Sequence, residues 1–182
     1  MSDGTERSAS DQTSAAGGTS RAIELIRAAH RETDALFRSL DPAQLERPVF
    51  TGEGPGWRVR DLIAHYALWQ TLAARSAEKM AREPLPGADE RIRRYLGIPQ
   101  ELDEMNDGSF QAWRDRSVED ALVALRAEND RLVAAIEALP ADRVLTGDGP
   151  EDFHRYFWQP GVNHLRQHRE HIDNALREAT HP

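Results

Sequence analysis

Asn163-His-Leu-Arg-Gln-His-Arg-Glu-His-Ile-Asp173 is the stretch on which the reading of the chain turns. Wound as an α-helix at about 100° per residue, it brings His164, His168 and His171 within roughly 60° of one another. Leu165, Ile172 and Leu176 form an adjoining apolar stripe, so the histidines stand at the edge of a face that must be buried. His164 and His168 are an i, i+4 pair, the spacing at which two imidazoles converge on one metal ion. Alone, such a pair is better explained as a solvated, His-rich helix end, because histidine is often half-exposed. His65 tips the balance. It lies on a second amphipathic helix, on the core-facing side, and two helices then offer histidines to one interior.

Three further helices carry apolar seams of the same period. Ile23, Ile26, His30, Thr33, Phe37 and Leu40 mark the first, with Ser20 as its N-cap and Asp41-Pro42 as its stop. His30 lies in that seam and reads as a core histidine bonded to a neighbour. The second runs from Val59 to Arg82 on Leu62, His65, Tyr66, Trp69, Leu72, Ser76 and Met80. A neutral imidazole between Leu62 and Trp69 needs a partner, since an unsatisfied buried polar group costs about 1–3 kcal/mol. The third opens on Ser117-Val-Glu-Asp120, which has the form of a capping box. It follows Val118, Leu122, Leu125, Asn129, Leu132, Ile136 and Leu139 to Pro140, with Asn129 read as fixing register. Pro160 is placed to begin the fourth, which ends near Glu178.

The connections are long. Thr51-Gly-Glu-Gly-Pro-Gly-Trp57 is a turn: its glycines fit neither dinucleotide nor P-loop spacing, and no strand precedes them. Val144-Leu-Thr-Gly-Asp-Gly-Pro150 echoes Val49-Phe-Thr-Gly-Glu-Gly-Pro55 at a constant offset. Two similar helix–connection–helix halves and chance reuse of a Gly-rich turn explain that echo equally well. Residues 84–116 are broken by Pro84, Pro86 and Gly87, then by Gly97, Pro99, Asn106, Asp107 and Gly108, around a short helix over Glu90–Leu96. An insertion of this length is expected to cover one end of the bundle.

Composition narrows the chemistry. The 182 residues suffice for one domain with a full core. There is no Cys, which excludes disulfides, thiolate zinc sites and a cysteine nucleophile. The net charge is −8 with Lys and Arg scattered among acidic residues, which argues against nucleic acid. Apolar runs are too short to span a membrane. Residues 1–19 are rich in Ser, Thr, Gly and acidic residues, without a basic or an apolar segment. They read as a disordered tail and not a signal peptide, so a cytoplasmic protein is expected. The expectation is an all-α four-helix bundle over residues 20–180, one domain with long connections behind a disordered N-terminal tail.

Trp57-Arg-Val-Arg-Asp61-Leu-Ile-Ala-His65-Tyr-Ala-Leu-Trp69, followed much later by His164-Leu-Arg-Gln-His168, resembles the DinB/YfiT-like superfamily of metalloenzymes. The Trp-x-x-x-Asp-Leu-x-x-His-x-x-x-Trp run is most similar to its ClbS/DfsB-like branch. So are Asn106, the Arg116-Ser-x-Glu-Asp-Ala-Leu segment and the Ile136-Glu-Ala-Leu-Pro ending. The resemblance covers residues 20–178. It implies a four-helix bundle in which three histidines bind a divalent metal, usually nickel, zinc or iron. The helix-two histidine of the family falls on His65, and its HxxxH falls on His164 and His168. His171 has no place in the pattern and is assigned to a second shell or the surface. One departure is Arg58, where a capping Ser or Thr commonly follows the Trp. The relatives implied include mycothiol- and bacillithiol-dependent S-transferases and isomerases, and a hydrolase that opens a reactive cyclopropane.

Three neutral imidazoles leave a divalent ion with open positions, where it can acidify water or a thiol. With no Cys in the chain, a thiol would have to come from a low-molecular-weight cofactor. Asp61, one turn before His65, is a candidate acceptor for its second ring nitrogen, or else a first-turn residue complementing the helix dipole. Tyr66, Trp69, Asn106 and Trp158 are the candidate pocket wall. The function expected is a metal-dependent thiol S-transferase or hydrolase acting on a small electrophilic substrate. The alternative is a non-catalytic bundle that binds a small molecule or forms a homodimer.

Overall fold

The computed structural model describes residues 6–49, 56–83, 102–140 and 161–177. Among the described residues the chain forms six helices and no strand: α1 (Glu6–Ser39), α2 (Pro42–Leu45), α3 (Asp61–Met80), α4 (Leu102–Trp113), α5 (Val118–Glu137) and α6 (His164–Arg177). The four long seams are α1, α3, α5 and α6, so the all-α bundle expected from periodicity is the fold. The Glu90–Leu96 segment, the Val144–Pro150 echo, Pro160 and Trp158 lie outside the described residues.

Ion pairs between helices fix the topology. Arg27 pairs with Glu137 and Arg38 with Glu119, which sets α1 antiparallel to α5. Arg131 forks onto both oxygens of Glu78 at 2.7 and 2.9 Å, while Asp61 and Ala64 line one cleft with Val118 and Ala121, so α3 and α5 run parallel. Arg166 reaches Glu32 and Arg47 reaches the Ala175 carbonyl, which sets α6 parallel to α1. The bundle is therefore up-down-down-up, and its one parallel crossing is the long connection from α3 to α5 that carries α4. Phe37, Ile26, Leu62, Ile63, Tyr66, Leu125, Leu132, Ile136 and Ile172 lie fully buried at its centre. Each such side chain contributes on the order of 1.5–3 kcal/mol on burial.

Several boundaries differ from the expectation. α1 begins at Glu6, inside the stretch expected to be a disordered tail, so Ser20 is an interior helical residue and no cap. Its Glu, Arg, Gln and Ala residues tolerate helix well, and the helix extends past the point where the apolar seam starts. Asn106, Asp107 and Gly108 do not break the chain but sit within α4. Tertiary packing overrides their weak propensity: Phe110, one turn on, stacks on Trp57 with ring centroids 5.6 Å apart. α4 thereby covers the end of the bundle where α3 begins. At the start of α5, Ser117 accepts from the Asp120 N–H, but Asp120 does not reach back to the Ser117 backbone. Its shorter side chain instead takes the Ser117 hydroxyl proton at 2.7 Å, so the reciprocal half of the capping box is missing.

Two glycines matter to the site. Gly56 has φ +72°, a left-handed conformation that turns the chain into Trp57. The Val49 N–H to Trp57 carbonyl and Val59 N–H to Arg47 carbonyl bonds, each 2.9 Å, then clip that segment against the earlier connection. Gly161 lies in a π-helical turn that leads into α6. A Cβ there would meet a Leu132 methyl at 3.3 Å, and its carbonyl accepts from the buried Gln70 amide at 2.9 Å. Bare backbone thus seats the start of α6 against α3 and α5.

Candidate metal centre

His65 stands one turn into α3, and α6 passes it antiparallel, so the i, i+4 pair on α6 faces it. His164 and His65 are 99 residues apart in sequence, yet their Nε2 atoms are 2.7 Å apart. The His168 ring lies 5.1 Å from that of His65 and 4.8 Å from that of His164. One ligand atom from each of the three falls within 4.8 Å of the others. His65 is buried and the other two partly so.

Burial pushes all three imidazoles towards the neutral form: His65 to about 3, His164 to about 2 and His168 to about 4. Loss of hydration is the leading cause in each case. Mutual repulsion adds to it, from His168 on His65, from His65 and His168 on His164, and from His171 on His168. At neutral pH the cluster is therefore uncharged and rich in lone pairs, with no carboxylate in the set to supply a counter-charge. The 2.7 Å contact between His65 and His164 can pair one N–H with one lone pair, and His65 Nδ1 is in addition buried without a partner. A divalent cation suits this donor set. At metal–nitrogen distances near 2.0–2.1 Å, tetrahedral ligand atoms lie about 3.3 Å apart, so His65 and His164 need open by only about half an ångström. The residues fit a three-histidine site for a borderline ion such as zinc, nickel or iron.

Aromatic rings enclose the cluster. Trp69 lies against His164 with centroids 4.4 Å apart, and Tyr66 touches the His168 ring at 5.8 Å. Burial raises the Tyr66 phenol well above its usual range, so it stays protonated. The Trp69 Nε1 is buried without a hydrogen-bond partner. His171 meets His168 through a 3.0 Å Nδ1···Nδ1 contact. Asn106 lies on α4, one turn before Phe110, with a buried and unpartnered Oδ1. Trp158 lies outside the described residues.

Asp61 is not the partner of His65. Its carboxylate takes the Arg58 N–H at 2.8 Å and the Arg58 guanidinium at 3.0 Å through both oxygens. It thus closes the start of α3, which Arg60 leaves without a side-chain cap. Asp61 is an acidic residue in the first turn of α3, and the departure at Arg58 supplies its counter-ion. His30 is likewise no part of the cluster. It is buried in α1, facing Asp34 and the α5 residues Arg126 and Asp130, with Nδ1 unpartnered.

Two wall residues escaped the sequence. Trp57 stands edge-on to His65 at 5.0 Å, and Phe110 backs it. Trp57 precedes the helix, so periodicity could not orient it; only its recurrence with Asp61 and His65 in one run pointed to the site.

Residues 26–158 match the mycothiol maleylpyruvate isomerase N-terminal domain family. The matched span includes His65 and stops short of α6, so the His164–His168 half of the site rests on geometry. No curated protein and no solved structure compared with the chain matches it.

Proposed function

Because the chain belongs to the mycothiol maleylpyruvate isomerase N-terminal domain family, within the DinB/YfiT-like superfamily, we propose that it is a divalent-metal-dependent enzyme of thiol chemistry. It joins a low-molecular-weight thiol to a small electrophile, or isomerises the adduct, in the cytoplasm. The observation that carries this reading is the convergence of His65, His164 and His168 within 4.8 Å, all held neutral by burial. An ion bound there supplies Lewis acidity, which lowers the pKa of a thiol or water at its open position. The chain itself holds the three imidazoles as lone-pair donors, keeps bulk water off with Trp57, Tyr66 and Trp69, and contributes no thiol of its own. Trp69 Nε1, beside His164 and without a partner, is a donor available to orient a ligand.

A second arm is hydrolysis of a reactive small electrophile, which the ClbS/DfsB-like run from Trp57 to Trp69 favours. One experiment separates the two. Protein purified without a His tag is expected to carry about one divalent ion per chain, and His65→Ala to lose it. Added thiol should give the cobalt-substituted protein a sulfur-to-metal charge-transfer band. Full metal content in His65→Ala would sink the triad. Metal binding without a thiol band would move the reading to hydrolysis.

A further inference from the structure

His168 and His171 present the same nitrogen to one another, and that contact decides what the other nitrogen of His168 can do. Their Nδ1 atoms are 3.0 Å apart, with rings 5.2 Å apart and inclined at 49°. A hydrogen bond between two Nδ1 atoms needs one N–H and one lone pair. If His168 donates, its proton sits on Nδ1 and its Nε2 carries the free lone pair. If His171 donates, the neutral His168 must carry its proton on Nε2 and cannot ligate through that atom. The bond has two states, and only the first leaves His168 a nitrogen to offer the centre.

We propose that His171 is the positioning residue of the centre: its Nδ1 accepts the His168 Nδ1–H, fixing the tautomer and ring plane that turn Nε2 towards His65 and His164. The inference rests on the metal reading and deepens it. His171 suits the role because its Nδ1 can accept and it is carried on the same helix, one turn from its partner. It is also exposed, so it costs the core nothing. Asp61 does not play this part for the set, since both its oxygens accept from Arg58. Of the three members, His168 is the one with an imidazole partner behind it. Metal-bound histidines ordinarily need such an acceptor on the other ring nitrogen.

The test compares wild type, His171→Ala and His171→Asn, whose Oδ1 can accept where the imidazole Nδ1 does. Cobalt(II) affinity is read by competition with a chromophoric chelator, the cobalt d–d spectrum by absorption, and folding by circular dichroism. His171→Ala should bind cobalt about tenfold more weakly, at the lower end of the range for losing such a partner, with the same d–d bands. His171→Asn should return to within a few-fold of wild type. Equal affinity in wild type and His171→Ala overturns the proposal. So does failure of Asn to rescue, and so do altered d–d bands in His171→Ala, which would make His171 a ligand itself. A wild-type protein that takes up no cobalt fails differently: it removes the metal reading on which the proposal stands.

Discussion

A drop in pH should destabilise the metal-free protein through its central histidines, by an amount the site allows one to work out. In the folded state His65, His164 and His168 titrate near 3, 2 and 4, against 6.5 for an ordinary histidine. The unfolded chain therefore binds more protons than the folded one below pH 6.5, and stability must fall as pH falls through that value. Above it the penalty is absent; below it the penalty grows until each folded pKa is reached. Each fully shifted group costs about 1.4 kcal/mol per pH unit, so at pH 5.5 His65 and His164 together cost nearly 3 kcal/mol. His168 is more open to solvent and adds less than that share. His30, also pushed down by burial, acts in the same direction. The carboxylates stay out of the window. Glu46, held low by Arg60 and Arg58, and Glu78, held low by Arg131, lose their contributions only below their ordinary value of 4.5. Urea unfolding of chelator-treated protein at pH 7.5 and 5.5 should show the midpoint falling by about 1.5 M, for a slope near 2 kcal/mol per M. His65→Leu should remove about half of that loss. Coincident midpoints at the two pH values would mean that the cluster is hydrated and not closed, and the reasoning would fail.

Two further outcomes follow from the same contacts. Asp61→Ala should cost about 2–3 kcal/mol in a denaturant titration, because it strands the Arg58 guanidinium and opens the start of α3, yet leave metal content unchanged; a loss of metal with little loss of stability would return Asp61 to the histidine shell. Asn129→Leu should raise the free energy of unfolding by about 1 kcal/mol, since Asn129 Nδ2 is buried without a partner; a loss of stability or a change of oligomeric state would show that the amide specifies register after all.

How much of this was legible in the sequence depends on where the information sits. The seams of α1, α3, α5 and α6 are written in periodic apolar residues, so helix number and buried faces could be read directly. The histidine cluster was legible for the same reason: His65 lies between Leu62 and Trp69 in a seam, and His164 and His168 repeat at one turn. The register of the helices was not. It is carried by Arg27–Glu137, Arg38–Glu119 and Arg131–Glu78, pairs whose partners nothing in a linear pattern joins. α4 was missed because Asn106, Asp107 and Gly108 are poor helix formers, and what holds them is Phe110 against Trp57, a contact between connections. Asp61 was read two ways because position alone cannot say which neighbour a carboxylate faces. Arg58, next to the turn, decided it.

The uneven packing of the bundle gives the centre a second consequence. Among the described residues α3 and α5 are joined most extensively, whereas α6 meets α1 and α3 over much shorter stretches. Only Leu165, Ile172 and Ala175 of α6 are buried. An apolar stripe that narrow contributes a few kcal/mol at most, set against the entropy of ordering a 14-residue helix. On the α3 side α6 gains the Gln70–Gly161 bond at its start and ring contacts of His164 and His168 with His65, Tyr66 and Trp69. An ion held by His65 from α3 and by His164 and His168 from α6 would tie together two segments 99 residues apart at the seam where the apolar core is thinnest. Metal binding and docking of α6 are then one linked equilibrium. On this account the histidines stand at the edge of the buried face because an ion there can both join the helices and keep a position open. Deeper in the core it would be closed off; farther out, protons and water would compete for the same lone pairs.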